Sequence, residues 1–354
     1  MSFYVGIDIG GTTSTIALGA PSGDLVRISE QFPTPTREGP VQTISLLVEK
    51  VNELLLPLAT NLEDVVTVGL ASPGPASQDG ILEPSPNLIA SDWRYFPMRA
   101  ELEKRFQSHG HAIRVRYIGD GQAAALGEHA VRTGRIETRR CDAPRFTPLT
   151  EELKDLRSLF FLAVGTGLGG GEVRDGQVVR GRNGRAGHAG HLLLPQHAFR
   201  YEYDRHFRVG NTVSSAESAV SLSALTRQLS HRLSLPEWKH HPLNDVDLPA
   251  KEKAKSLRLL AAESDPLALE LLDDQARALG MVALMVNYLG DHDLVVIGGG
   301  ICEMAEPVRR RYLELVRRSY FDHALDGFRD ICRIEYSVVG DNASVIGALA
   351  FAYD

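Results

Sequence analysis

Two aspartates stand beside glycines, and one of them precedes a turn suited to handling phosphate. Asp8 closes an apolar run and is followed by Gly10, Gly11 and Thr12, while Asp120 lies between Gly119 and Gly121. Two further glycine stretches also follow apolar runs: Gly165-Thr166-Gly167, within a cluster reaching Gly171, and Gly298-Gly299-Gly300. Glycine has no Cβ, so the main chain and its N–H groups can come close to an anion. Three such turns, with a carboxylate ahead of the first, favour a phosphate-bearing ligand over three plain hairpins. None is a P-loop, because no Gly-Lys-Ser/Thr follows, and the 165–170 stretch lacks the acidic ribose partner of a dinucleotide-binding turn. Aspartate before Gly-Gly also caps turns, and aspartate between a strand and a helix also caps helices.

The elements that must position these residues follow from periodicity. Residues 3–9 and 14–19 read as a hairpin with a glycine tip, and 41–58 place Ile44, Leu47, Val48, Val51, Leu54 and Leu55 at helical spacing. Strands are expected at 65–70 and 113–118, with helices at 97–108 and 122–132. The polar, proline-bearing stretch 133–157 reads as an insertion or long loop. A strand at 159–164 leads into the second glycine cluster and a hairpin turning at Asp175-Gly176. Helices at 215–233, 251–262 and 265–289 precede a strand at 293–297, which ends in the third glycine turn. A helix at 306–318, a strand at 333–339 and a helix opened by Gly340-Asp341-Asn342 complete the chain. The basic run at 308–318 reads as the solvated face of its helix.

At 354 residues the chain exceeds the size at which one core usually keeps growing, so two α/β lobes with a ligand cleft are expected. A net charge of -7 argues against holding nucleic acid through many phosphates and favours small metabolites as partners. Cys141, Cys302 and Cys332 fit neither a zinc spacing nor a complete disulfide framework, which implies a reducing compartment. The N-terminus lacks the pattern of a signal peptide, and no apolar run is long enough to cross a bilayer. A cytoplasmic protein without membrane contact is the expectation.

Order and spacing of several motifs resemble the ROK family of sugar kinases and related repressors, within the group that shares the actin-like ATPase (ribonuclease H-like) fold. The residues carrying the resemblance are Gly6-Ile-Asp8-Ile-Gly-Gly-Thr12, Gly69-Leu-Ala-Ser-Pro-Gly74-Pro, Pro86-Asn87-Leu88 with Trp93, and Gly119-Asp120-Gly-Gln-Ala-Ala-Ala-Leu-Gly127-Glu. It continues through Gly165-Thr-Gly-Leu-Gly-Gly-Gly171, Gly187-His188-Ala-Gly-His191, Ile297-Gly-Gly-Gly300 and Gly340-Asp-Asn-Ala-Ser-Val-Ile-Gly347. The resemblance implies a two-lobed α/β protein with a central cleft, residues 1–118 plus 341–354 forming the N-terminal lobe and 119–340 the larger C-terminal lobe. It implies a glucokinase-like enzyme that phosphorylates the 6-hydroxyl of a glucose-like hexose or N-acetylhexosamine. Its implied cofactors are ATP and Mg²⁺, the latter positioned indirectly by Asp8. Gly10, Gly11 and Thr12 would face the terminal phosphates, Gly165, Thr166 and Gly167 would form a second phosphate loop, and Gly298, Gly299 and Gly300 would lie beside the adenosine. Asp120 would be the general base; Gly74, Asn87, His188, His191 and Glu217 would join it at the sugar. A homodimer is also implied.

Two departures from the family pattern bear on function. Where family kinases carry Glu-x-Gly-His, this chain reads His188-Ala189-Gly190-His191, so a carboxylate that accepts two hydroxyl protons is replaced by an imidazole with one donor and one acceptor. The Cys-x-Cys-Gly zinc cluster is missing, and the irregular spacing of His188, His191, His197 and His206 makes zinc an unexpected ligand. The alternative is a catalytically weak sugar-binding or sensing protein. Family repressors carry a DNA-binding segment ahead of the first glycine hairpin, and with only the short stretch before Asp8 direct DNA binding is not expected.

Overall fold

The computed structural model describes residues 2–85, 88, 90–108, 112–139, 141, 153–329 and 332–354. Its packing divides the chain into two compact units, one of Met1–Phe161, Gly171–Gly187 and Val338–Asp354, the other of Leu162–Gly170 and His188–Ser337. Of the long polar stretch expected at 133–157, residues 140 and 142–152 lie outside the described residues.

The first unit is built on a six-stranded sheet. Strands β1 (Phe3–Ile9) and β2 (Thr13–Gly19) pair antiparallel, and β3 (Leu25–Ile28) and β4 (Phe32–Pro33) both add to β2. After α1 (Pro40–Leu55), β5 (Val65–Ser72) pairs in parallel with β1; after α2 (Met98–Gln107), β6 (Arg114–Gly119) pairs in parallel with β5. Helix α3 (Asp120–Arg132) follows β6 without a linker. β1 and β5 are buried along nearly their whole length, as strands covered on both faces must be. β7 (Leu159–Val164) and β8 (Leu168–Arg174) come next, and β8 turns back through Asp175-Gly176 into β9 (Gln177–Val178).

The C-terminal helix, Ala343–Tyr353, lies across this sheet and against α3, and two glycines set how closely. A Cβ on Gly69 of β5 would overlap the Ala348 carbonyl, and one on Gly347 would overlap the Ala123 carbonyl of α3. Neither obstacle is a flexible side-chain tip, so the backbones themselves would have to part. Replacing Gly347 by Ala is therefore expected to destabilise the protein by about 1–3 kcal/mol, the usual cost of overpacking a core. An unchanged urea midpoint would contradict this.

In the second unit, short pieces α4 (Glu202–Arg205), β10 (Arg208–Val209) and β11 (Thr212–Val213) lead to α5 (Ala216–Val220) and α6 (Leu222–Ser234). A single helix over 215–233 is what periodicity predicts. The structure instead breaks it at Ser221, whose extended backbone (ψ 163°) ends α5 while its hydroxyl accepts from Ala224 N–H and caps α6. Helices α7 (Ala250–Ala262) and α8 (Pro266–Gly290) follow, α8 opening with Asp265 as cap and Pro266 in its first turn. β12 (Leu294–Gly298), α9 (Glu306–His323) and β13 (Arg333–Tyr336) complete the unit, with β12 and β13 parallel and β12 neighbouring β7.

The buried Arg232 of α6 anchors this unit through Asp204 at 3.0 Å and Glu270 at 3.2 Å, with its guanidinium 4.0 Å from the Tyr201 ring centroid. On α9, Arg310 pairs with Glu306, Arg311 with Asp273 and Arg318 with Asp322. Three arginines of the basic run are thus matched by acids, two on the same helix and one on α8. Among the described residues no helix is long and apolar enough to cross a membrane.

Candidate functional site

In the first unit the parallel strands aim their carboxyl ends the same way, and Asp8, Gly74 and Asp120 lie at those ends. Asp8 near the end of β1 is level with Ala71 of β5, which is level with Ile118 of β6. Gly74 follows the end of β5 and Asp120 follows the end of β6, so all three leave the same edge of the sheet, the edge where ligands of open α/β sheets bind. The Gly74–Pro75 peptide is cis. The first glycine turn sits at this edge too, closed by Gly10 N–H donating to Thr13 O at 2.9 Å; a Cβ on Gly10 would lie 2.5 Å from that oxygen. Thr12 is exposed at its tip.

The two aspartates share an electrostatic environment. Burial, then the negative charge of Asp120, raises the pKa of Asp8 to about 7, and the Asp8 carboxyl makes no hydrogen bond among the described residues. Burial likewise raises Asp120, opposed by hydrogen bonds from backbone N–H groups, although Asp120 keeps surface in contact with solvent. Its Oδ1 accepts the Gly121 N–H at 2.7 Å. Gly119, not Asp120, is the N-cap of α3, so the carboxylate is not consumed in capping across the first turn. Crowded carboxylates with an unmatched charge are the groups whose energy a cation would lower.

Three side chains that the sequence did not single out tie down the β6–α3 junction that carries Asp120. Gln122, nearly fully buried, donates through Nε2 to Gly184 O at 3.2 Å and Ala186 O at 3.0 Å, fixing the segment that leads to Gly187. Arg180 donates to Tyr117 O at 2.9 Å and Gln78 O at 2.8 Å, and Ser344 Oγ donates to Asp120 O at 3.2 Å. Gln122 and Ser344 both fall inside the quoted motifs, and that was the signal available for them; Arg180 carried none.

The second unit holds the other glycine turns side by side. Gly165 N–H donates to Gly167 O at 3.0 Å, and a Cβ on Gly165 would meet nothing within 4 Å, so the face of that turn is open. Gly299, with φ +84°, lies against the end of β7: its Cβ would be 2.5 Å from Val164 O. Gly300 packs against the Arg258 guanidinium, which also bonds Glu303 at 3.0 Å. His188 and His191 are both exposed, their rings stacked with centroids 6.0 Å apart. Glu217 sits with its carboxylate across the second turn, Oε2 accepting the Leu168 N–H at 2.9 Å. Asn87 lies outside the described residues.

The remaining histidines are used elsewhere. His197 stacks on His323 with centroids 5.4 Å apart, and His206 lies 3.7 Å from Glu202. Among the described residues no group of three or more His, Cys, Asp or Glu side chains is gathered for a metal, and the three cysteines are unbridged. A cavity of about 660 Å³ in the second unit, lined in part by His197, Arg200, Asp274, Arg277, Arg318 and His323, contains none of the predicted residues. Its Arg200 and Arg277 both pair with Asp274, at 2.6 and 2.7 Å, and its Arg318 pairs with Asp322.

The family model described as "ROK family" matches residues 4–138 and 148–354. The chain is 26% identical over 350 residues to a glucokinase of Halalkalibacterium halodurans, covering 98% of this chain and 93% of that protein. It is 28% identical over 300 residues to an N-acetyl-D-glucosamine kinase of Vibrio parahaemolyticus, covering 84% of each. The solved structure of the ROK hexokinase from Thermus thermophilus superposes with a TM-score of 0.70 at 27% identity, covering 99% of this chain and 98% of that one. The α/β fold is that of the actin-like ROK hexokinases, and the chain belongs to the ROK family.

Proposed function

We propose that this ROK sugar kinase moves the γ-phosphoryl group of ATP onto the 6-hydroxyl of a hexose, either glucose-like or an N-acetylhexosamine, with Asp120 taking the hydroxyl proton. The observation that carries the reading is the pair of raised carboxylates, Asp8 and Asp120, at the carboxyl edge of parallel strands beside a glycine turn. Gly121 N–H occupies Oδ1 of Asp120, so the other oxygen is the one to receive the proton. A base whose pKa is raised by burial holds a proton better than an ordinary carboxylate does, which suits the transfer. Asp8, lacking a hydrogen-bond partner among the described residues, would hold Mg²⁺ through water, as a cation that keeps much of its hydration allows. When bound, MgATP supplies the phosphoryl group and the metal's charge against the phosphate oxygens.

The chain's own backbone does the rest of the positioning. Gly10–Thr12 and Gly165–Gly167 would cradle phosphates, and Gly298–Gly300 would lie beside the nucleoside. His188 and His191, with Gly74 and Asn87, would bind sugar hydroxyls. With imidazole at position 188, one hydroxyl near C1 or C2 meets a donor where a family kinase offers only acceptors. Purified protein with MgATP and a panel of glucose, fructose, mannose, allose, N-acetylglucosamine and N-acetylmannosamine should release ADP with at least one sugar. Silence across the panel would favour a sugar-binding sensor.

A pH dependence follows from the same carboxylates. Asp8 must lose its proton before it can hold a cation, and its pKa is raised to about 7. The value of kcat/KM for MgATP, measured at saturating sugar, is therefore expected to fall as pH drops through about 7, about tenfold per unit below it. The sign is that of a raised acid: the charged form is disfavoured in the fold, so this pair's contribution to stability improves as pH falls from 7 towards the unfolded value. A flat rate profile between pH 6 and 8 would contradict the assignment.

A further inference from the structure

Helix α7 buries Ala254, Leu257 and Ala261, and this apolar stripe fixes which way the helix faces. Arg258, next to Leu257, is thereby held at the edge of the stripe, half-buried, with its head group on Gly300. A Cβ on Gly300 would overlap Nη2 of the guanidinium and lie 3.2 Å from its Cζ, so the head group fills the space that another residue's side chain would take. Arg258 Nη1–H donates to Glu303 Oε2 at 3.0 Å, and Glu303 ends the single helical turn, Gly300–Glu303, that begins at the same glycine.

Two glycine turns of the second unit meet at one carbonyl. The Cβ position of Gly299 lies against Val164 O, and Val164 is the residue before Gly165. The two turns offer a ligand different things. At Gly165 a Cβ would meet nothing within 4 Å, whereas at Gly300 it would meet the guanidinium. An open glycine turn suits a phosphate, which backbone N–H groups can approach. The covered turn presents a planar cation instead.

The charge of Arg258 is already offset by Glu303, and that carboxylate would repel a phosphate brought to the same place. The N–H donors of a guanidinium lie in its plane, so the bond to Glu303 does not cover its faces. A planar, weakly hydrated cation of this kind stacks on a heteroaromatic ring. The Arg258 side chain keeps 28% of its surface exposed for such a contact.

We infer that Arg258 holds the base of the nucleotide: its guanidinium, steadied by Glu303 beside Gly300, stacks on the purine while the 165–167 turn takes phosphate. The inference rests on the kinase reading above, which puts the nucleoside beside Gly298–Gly300 and gives the base no side chain. Glu303 is a positioning residue that acts through Arg258.

Calorimetric binding of MgAMPPNP, without sugar, to the wild-type protein and to Arg258→Ala, Arg258→Lys and Glu303→Ala tests this. A stacked guanidinium contributes about 3–30-fold, so Arg258→Ala is expected to weaken MgAMPPNP by about that factor. Lysine keeps the charge but not the plane, so Arg258→Lys is expected to lose most of the same affinity. Magnesium tripolyphosphate has the phosphates and no base, and its affinity is expected to be equal in wild type and Arg258→Ala. Glu303→Ala is expected to weaken MgAMPPNP less than Arg258→Ala does, and to add no loss when the two are combined. Unchanged MgAMPPNP affinity in Arg258→Ala would overturn the inference, as would wild-type affinity in Arg258→Lys or a parallel loss of tripolyphosphate. Additive losses in the double variant would contradict the role given to Glu303. Should Arg258→Ala lose its native circular dichroism, Arg258→Lys with both probes decides by the same signs.

The kinase reading fails separately. If wild-type protein binds MgAMPPNP but phosphorylates no sugar, that reading falls and the nucleotide comparison still decides whether Arg258 holds the base. If wild-type protein binds no MgAMPPNP, both fall.

Discussion

Replacing Asp120 by Asn is expected to lower kcat by about 10²–10⁴, the usual contribution of a positioned general base. Asparagine keeps the shape of the side chain and an oxygen able to accept the Gly121 N–H, now made at 2.7 Å, so the start of α3 should be preserved. What is lost is the group that takes the hydroxyl proton. The substitution also removes the negative charge that helps to raise Asp8, so the pKa of Asp8, followed by NMR in the absence of nucleotide, should move down from about 7. A variant with wild-type turnover would remove Asp120 as base, and an unmoved Asp8 would show that the two carboxylates do not interact.

Replacing Glu128 by Ala is expected to cost about 3–5 kcal/mol of stability, the penalty for stripping one partner from a buried ion pair. Glu128 is fully buried on α3 and Arg132 nearly so, with Nε–H donating to Oε1 at 2.7 Å; the same oxygen accepts the Val338 N–H at 3.0 Å. Removing the carboxylate takes from the buried Arg132 guanidinium the oxygen it bonds at 2.7 Å. Replacing both residues by apolar side chains of similar volume should recover much of the loss, because neither charge of the pair is then buried. Urea unfolding of the single and double variants measures this, and a single-variant loss below about 1 kcal/mol would contradict it.

Much of the site was legible because its parts are local. The β1–β2 hairpin, the strand-to-helix junction at Asp120 and the three glycine turns each declare themselves within a short stretch of chain, through periodicity and the special backbone of glycine. What escaped the sequence is long-range. Glu217 was expected at the sugar by resemblance, but its bond to Leu168 spans 49 residues and has no pattern of its own. The break at Ser221 escaped because a serine within a helical pattern can face solvent or cap a new helix, and only the packing of α5 and α6 decides. Periodicity ended the helix beginning at Glu306 too early, since its last turns expose Phe321 while burying Tyr320. Gly69 and Gly347 looked like ordinary motif glycines until the helix lying over them gave their missing Cβ a reason.

Phosphoryl is expected to pass from ATP to a sugar hydroxyl rather than to water, and ³¹P NMR of a reaction containing the protein, MgATP and a sugar that elicits ADP release follows where it goes. The γ-phosphate resonance should be lost as a hexose 6-phosphate resonance of equal intensity grows. Growth of inorganic phosphate alone, with no phosphate ester on the sugar, would contradict it.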